Sequence, residues 1–391
     1  MFKVVVATPD VAGERMAGPG IRAWHLAQEI GKHFPTTLVA QIEVDDARSR
    51  RPEEAGMPVL DVHSREARDV IRDAAALIGQ PARGFRRMRE GQRIVFDLFD
   101  PVLLELREMY GSHPSLRQRL HYVAERMRIE RAIDNGDLLI CATPQQRELY
   151  ERGRDRLIEI PFGVEREDDA GRSPLTIGRE VPLRSASDSQ RSSTTGQPLI
   201  VWGGGTWEWL DPKTAVEAVV RLNRKGLPCR LLFLGRTRPN RALVDRRREN
   251  RFDMLIAAGT PWVSANDEWV PYRERLSWLR RAKIAMMLHR STAEARYSIR
   301  TRLFDAIATA TPVIATEEGF AAELVADEGL GLVVPPSDVA AVAAAIERLL
   351  RDDVFHAQCV SNLERIRPRF AWPAVVRPLI EALNRWKQDA H

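Results

Sequence analysis

The segment HRSTAEARYSIRTRLFDAIATATPVIAT, residues 289–316, lies between two apolar runs and carries Glu294, Arg296, Arg300, Arg302 and Asp305. Arg300 and Arg302 fall near the start of a predicted helix, where guanidinium groups and unpaired backbone N–H groups together suit an anion. Asp305, one to two turns further on, suits hydroxyl groups. A solvated charged face is the bland alternative, and the apolar strands on either side weigh against it. A second stretch, LIVWGGGTWEWLDP, places Gly203, Gly204 and Gly205 at the end of a strand, followed by Trp207 and Trp209 and then by Asp211-Pro212. Three glycines there allow a ligand to approach the backbone closely, and the tryptophans could wall it or simply pack. A third, PDVAGERMAGPGIRAW, presents Gly18, Pro19, Gly20 and Arg22 at the entry of a helix, a second place for a phosphate or an acceptor oxygen. It lacks the GxGxxG spacing of a nicotinamide or flavin site. Asp97 and Asp100 close the run IVFDLFD and are candidates to bind or deprotonate a hydroxyl, with helix capping as the commoner fate.

These groups need a scaffold that brings strand ends and helix starts together. Through residue 165 short β-branched runs (KVVVAT, TTLVAQI, MPVLDV, RIVFDLF, DLLICAT, RLIEIPF) alternate with helical patterns, including a long amphipathic stretch over 115–134. Strands separated by helices of that length pair in parallel, as a doubly wound sheet. Residues 166–197 interrupt the pattern with Ser, Arg, Asp and Gly and read as a linker or inserted loop. The alternation restarts at 198: LIVW, a helix from Asp211, CRLLFLG, a helix after Asn240, Trp269-Val270 as a strand, YRERLSWLRRA, KIAMMLH, a helix over 299–309, PVIAT, a short helix from Phe320, LGLVVP, and the capped helix SDVAAVAAAIERLL. The expected fold class is therefore α/β, two Rossmann-like doubly wound parallel-sheet domains facing a central cleft, at 1–165 and 198–370. Residues 371–391 form a Pro-containing tail that returns to the first.

Composition narrows the partners. The chain has 391 residues, 44% hydrophobic and 29% charged, too long for one ordinary core and sufficient for two. No apolar run reaches the length of a membrane span, and the start MFKVVVATPD reads as a first buried strand, not a signal peptide. Cys141, Cys229 and Cys359 are far apart and suggest neither a disulfide framework nor a zinc site, which fits a reducing cytoplasm. Against 54 acidic residues stand 59 Lys and Arg, a net charge of +5, which does not call for nucleic acid. The run PARGFRRMREGQR gathers Arg83, Arg86, Arg87, Arg89 and Arg93 around Phe85 and Met88. Such a surface could meet anionic headgroups, as a peripheral membrane contact on the inner face, or remain solvated.

In the order of its motifs (GGGTWEWLDP, FLG, WVPY, AEARYSIRTRLFDAIATATPVIAT, GLGLVVPPSDVAAVAAAI) the chain resembles the retaining, family 4-like glycosyltransferases of the GT-B fold, with weaker echoes in MAGPGIRAW, VFDLFDP and IPFGV. The resemblance implies an N-terminal acceptor-binding domain and a C-terminal domain for a nucleotide-diphosphate sugar, which serves as co-substrate with no cofactor. It implies transfer to a hydroxyl acceptor, with a polysaccharide, a lipid-linked glycan or a natural-product precursor all open. The family's two glutamates, with seven residues between them, bind the donor. The second falls on Asp305, and the first on Tyr297 by strict count or on Glu294 three residues earlier. Gly203 to Gly205, Trp207, Val270, Pro271, His289, Ser298 and Thr301 become donor contacts. Arg300 and Arg302 become the clamp on the leaving diphosphate, and Gly18, Pro19, Gly20 and Arg22 a phosphate or acceptor loop. Catalysis would involve Glu294, Arg300, Arg302 and Asp100. No DxD pair follows a strand, since Asp45-Asp46, Asp168-Asp169 and Asp352-Asp353 sit in polar settings, and this points away from a metal clamp. A sugar-nucleotide epimerase of the same architecture and a catalytically silent partner in a glycosylation complex are the competing expectations.

Overall fold

The computed structural model describes residues 1–13, 15–42, 56–165, 196–235, 246–266, 269–272 and 274–389. The expected linker lies outside them except for its last two residues, as do the pairs Asp45-Asp46 and Asp168-Asp169. The chain divides into two compact units, one of Met1–Gly163, Arg296–Ile299 and Arg369–His391, the other of Val164–Ala295 and Arg300–Pro368.

The first unit is built on a seven-stranded parallel sheet in the order β3-β2-β1-β4-β5-β6-β7. Its strands are β1 (Val4–Val11), β2 (Thr36–Gln41), β3 (Val59–Asp61), β4 (Ala76–Gly79), β5 (Arg93–Asp97), β6 (Leu138–Cys141) and β7 (Leu157–Glu159). β4, in the middle of the sheet beside β1, was not anticipated: Ala74 to Ala76 continue a helical composition, and only four residues, Ala-Leu-Ile-Gly, form the strand. Helix α1 (Gly18–Gly31) follows β1, and α2 (Arg65–Asp73) is capped by Ser64, whose hydroxyl accepts from Ala67 N at 3.0 Å. Two further helices follow β5, the unanticipated α3 (Val102–Tyr110) and the expected α4 (Leu116–Asn135), which opens on a Ser115/Gln118 capping box. The core joins Val5, Leu77, Ile94, Phe96 and Leu139 from four adjacent strands to Ala132 and Ile133 of α4. The C-terminal segment belongs to this unit through Trp372, which stacks on His25 of α1 with centroids 4.8 Å apart and touches Phe162. Any Cβ at Gly163 would collide with the Trp372 ring.

The second unit has a six-stranded parallel sheet in the order β10-β9-β8-β11-β12-β13. Its strands are β8 (Leu199–Trp202), β9 (Arg230–Phe233), β10 (Val263–Ala265), β11 (Ile284–Met287), β12 (Val313–Thr316) and β13 (Gly331–Val334). β10 lies four residues before the expected pair Trp269-Val270, which is loop; Val263 packs in the core and gives β10 its place beside β9. The helix Pro212–Arg224 begins as expected, with Asp211 accepting from Thr214 N at 3.1 Å and Pro at the first helical position. The helix expected over 299–309 is shorter, Arg302–Thr309, and is preceded by the turn Ala293–Tyr297. The helix Asp353–Ile366 was also unanticipated. In each sheet the direction of chain progression reverses once, between β1 and β4 and between β8 and β11, and loops leaving such neighbours diverge to open a crevice at the carboxyl ends of the strands.

Candidate active site

In the second unit the loops leaving β8 and β11 are tied to each other. Leu210 forms an antiparallel bridge with His289, Asp211 N donates to Leu288 O at 3.0 Å, and Arg290 N donates to Trp209 O at 2.8 Å. The glycine turn therefore stands over the β8/β11 reversal. Its far end curls back: the Gly205 carbonyl accepts from Trp202 Nε1 at 3.3 Å and from the Arg302 guanidinium. Arg302 also lies over the Trp202 ring, 5.3 Å from its centroid. Gly204 has φ +68°, a conformation glycine adopts without strain. A Cβ on Gly205 or Gly235 would sit 3.1 or 2.9 Å from the Trp269 ring, so the loops after β8 and β9 are both glycine where that indole lies. Trp207 and Trp209 stack in parallel at 5.2 Å, with Trp209 buried and Trp207 half-buried.

Two ionic clusters follow. Arg300 donates both terminal nitrogens to Glu294, at 2.8 and 2.7 Å, and the pair is buried, with side-chain exposures of 7% and 0%. Arg300 adopts φ 43°, so this pair fixes the turn into the helix that carries Arg302. Of the two arginines expected to clamp an anion, Arg300 is thus already neutralised by a carboxylate. Arg302 is held by the Gly205 carbonyl and an aromatic face, with its basicity pushed down to about 9 by burial first and by the neighbouring Arg300 second. One turn on, Asp305 accepts from Arg275 Nε at 3.0 Å. Arg275 lies over the Tyr272 ring at 3.6 Å, donates to Tyr272 O, and pairs with Glu165 at 3.4 Å, while Tyr272 donates its hydroxyl to the same Glu165. Burial and the charge of Glu165 raise the Asp305 carboxyl, and Arg275 opposes them. Burial works against the charge of Arg275, but Asp305, Tyr272 and Glu165 outweigh it. His289 is pushed down to about 4 by burial and by Arg300, so its imidazole is neutral at physiological pH. Nδ1 faces Arg290 O at 3.1 Å, which assigns the proton to that nitrogen and leaves Nε2 an acceptor. Val270 is buried, Pro271 half-buried, and Thr301 precedes the helix without a side-chain capping bond.

In the first unit the geometry corrects one expectation. Arg22, 1% exposed, gives Nε and Nη2 to the two Asp97 oxygens at 2.7 and 3.0 Å and its remaining bonds to the Ile160 and Pro161 carbonyls. With the guanidinium consumed in this way it binds the end of β5 and the exit of β7 to α1, and the part expected of it in holding a phosphate or acceptor does not fit. Gly20 is glycine because a Cβ would collide with the Val11 carbonyl, so its place in the loop is set by helix-to-strand packing. Gly18 and Pro19 open α1. Asp100 remains at the carboxyl end of the sheet, its Oδ2 receiving Gln80 Nε2 at 3.4 Å. Asp10, which the sequence reading passed over, sits at the end of β1 with its carboxyl raised by burial; a Thr-Pro-Asp at a strand exit was the available signal. Ser298 and Tyr297 group with this unit, and Tyr297 bonds Glu148 through its hydroxyl at 3.1 Å.

Residues 197–352, which span the glycine loop, Trp269, the Arg275–Asp305 pair and Arg302, match the model of the family described as glycosyl transferases group 1. The chain is a glycosyltransferase, similar over these residues to group 1. No curated protein matches the chain. Among solved structures, sucrose-phosphate synthase from Thermosynechococcus elongatus aligns over all of both chains at 17% identity with a TM-score of 0.65. HepE of Anabaena, solved in complex with UDP-glucose, covers 98% of this chain and 100% of its own at 14% identity and a TM-score of 0.68. WaaG, a glycosyltransferase involved in lipopolysaccharide biosynthesis, covers 97% and 99% at 16% identity and 0.66. These likenesses give the glycosyltransferase the GT-B fold over its whole length. The residue that sequence reasoning missed in the matched segment is Arg275, one of several arginines in YRERLSWLRRA and marked only by the tertiary position of Asp305. Among the described residues no group of three or more His, Cys, Asp or Glu is arranged to hold a metal ion, and no helix is long and apolar enough to cross a membrane.

Proposed function

We propose that the glycosyltransferase moves a sugar from a nucleotide diphosphate to a hydroxyl acceptor with retention of configuration and with no metal, the second unit holding the donor and the first the acceptor. The observation that carries this reading is Arg302 lying on the glycine turn at the β8/β11 reversal, one helical turn from the Arg275–Asp305 pair. A half-buried cation whose basicity is depressed gains most from a diphosphate, which supplies the missing negative charge. Arg302, with the backbone of Gly203 and Gly204, stabilises the charge that develops as the glycosidic C–O bond to phosphate breaks. Asp305 Oδ1 is engaged by Arg275, and Oδ2 receives no hydrogen bond from the described residues, so it accepts from the donor ribose. Glu294 and Arg300, neutral as a pair, shape the pocket without adding net charge, and neutral His289 offers Nε2 to a sugar hydroxyl. Trp269 and Pro271 border the base. The acceptor hydroxyl forms its C–O bond on the face the phosphate leaves and passes its proton to that phosphate, so no side-chain base is required. Asp100 and Gln80 orient the acceptor. The three buried, unpaired cysteines suit a reducing cytoplasm.

A panel of UDP, GDP and ADP sugars tests this by thermal shift and turnover. One of them stabilises the protein and is consumed only when an alcohol acceptor is present, in buffer containing EDTA. Donor epimerised without acceptor would replace the reading with an isomerase, and no stabilisation by any nucleotide would leave a silent partner.

A further inference from the structure

Helix α4 carries an apolar stripe on the wrong side for a core helix. Leu116, Leu120, Val123 and Met127 are 74%, 63%, 42% and 43% exposed, although they recur at the spacing 4, 3, 4. At 3.6 residues per turn the four fall within roughly 60° of arc. The buried positions of α4, Ala132 and Ile133, occupy the other side. Arg119 and Arg126 border one edge of the stripe, and Arg117 and Arg131 the other. The acidic residues of this helix are already engaged: Glu125 with Arg128 at 2.5 Å, Glu130 with Arg126 at 3.6 Å and Asp134 with Arg152 at 2.8 Å. Beside Met127 a groove of about 700 Å³ adds Arg83, Phe85 and Arg86 from the loop between β4 and β5, and exposed Met88 follows in the same loop. Arg83, Arg86, Arg117 and Arg131 have no acidic partner among the described residues.

An outward apolar stripe flanked by unpaired arginines matches a bilayer surface better than a protein partner, because it offers hydrocarbon depth and a two-sided row of phosphate contacts. We propose that α4 lies in the plane of an anionic membrane, Leu116, Leu120, Val123 and Met127 at the acyl boundary and Arg83, Arg86, Arg117, Arg119 and Arg131 on lipid phosphates. The inference is independent of the reaction, since it is read without donor or acceptor.

Flotation of the whole chain with vesicles of phosphatidylcholine alone, or of phosphatidylcholine and phosphatidylglycerol in equal parts, tests it. The protein floats only with the anionic vesicles and is released at about 1 M salt, where screening acts within a few ångströms. Arg83→Ser with Arg86→Ser lowers the partition coefficient about fivefold per arginine. Leu120→Ser with Met127→Ser lowers it about tenfold per residue while circular dichroism and the melting temperature stay unchanged, because neither side chain packs in the core. A polarity-sensitive dye on Val123→Cys, selective because Cys141, Cys229 and Cys359 are buried, shifts to the blue with anionic vesicles only. Absence of flotation, flotation indifferent to these substitutions, or a lipid-free dimer that Leu120→Ser with Met127→Ser dissociates would each overturn the proposal, the last by giving the face to a second copy of the chain.

Discussion

Arg302 illustrates how burial converts an ordinary side chain into a ligand-seeking one. Its charge is opposed by desolvation and by Arg300, and the Gly205 carbonyl and the Trp202 ring offset only part of that cost. Arg302→Ala should therefore weaken nucleotide diphosphate binding by about 1.5–3 kcal/mol, roughly 10- to 150-fold by calorimetry, with little loss of fold stability. In the wild type the same affinity should weaken only in strongly alkaline buffer, because a bound anion favours the protonated guanidinium and burial holds the basicity of free Arg302 below that of an ordinary arginine. His289 gives a prediction of the opposite sense. Its folded pKa of about 4 lies below the ordinary 6.5, so between those values the unfolded chain binds more protons than the native state. Stability is full above pH 6.5 and falls by about 3 kcal/mol as pH drops to 4. Guanidinium melts at both ends of that window should show His289→Asn losing this part of the acid dependence. None of these environments is visible in the sequence, which gives residue type and spacing but not which carboxylate each cation meets: Arg300 finds Glu294, and Arg302 finds a carbonyl and an indole.

At the scale of elements, loops are placed by small residues against large ones. Trp269 presses on both Gly205 and Gly235, so Gly235→Ala should cost about 1–3 kcal/mol by overpacking and displace the indole toward the glycine turn. Chemical denaturation and donor affinity would then fall together, whereas an alanine at Gly226, which has nothing within 4 Å but φ +82°, should affect stability alone. In the first unit Arg22 and Asp97 close α1 onto the ends of β5 and β7. Removing one partner leaves a buried charge, and Asp97→Ala should destabilise by about 3–5 kcal/mol in urea melts, far more than loss of a surface ion pair. The helix start at Asp211 was legible because a cap is local chemistry read over three residues. β4 and β10 were not, since a strand of three or four residues is defined by the neighbours it pairs with.

For the molecule as a whole, the C-terminal segment belongs to the unit that contains the N-terminus, with Trp372 seated on His25, Phe162 and Gly163. Trp372→Ala should lower the stability of that unit by about 3–5 kcal/mol, and donor stabilisation of the second unit should persist in this variant when the two are followed separately by hydrogen exchange. By itself the sequence determined two α/β domains and the alternation of parallel strand and helix within each. Those properties follow from hydrophobic period, from glycine and proline placement and from caps, all local in the chain. Only the tertiary structure decided that Arg22 is spent on Asp97, that Arg275 steadies Asp305, and that α4 turns its leucines outward. Each of these depends on which residues far apart in sequence come within hydrogen-bonding or packing distance, and periodicity carries no record of that.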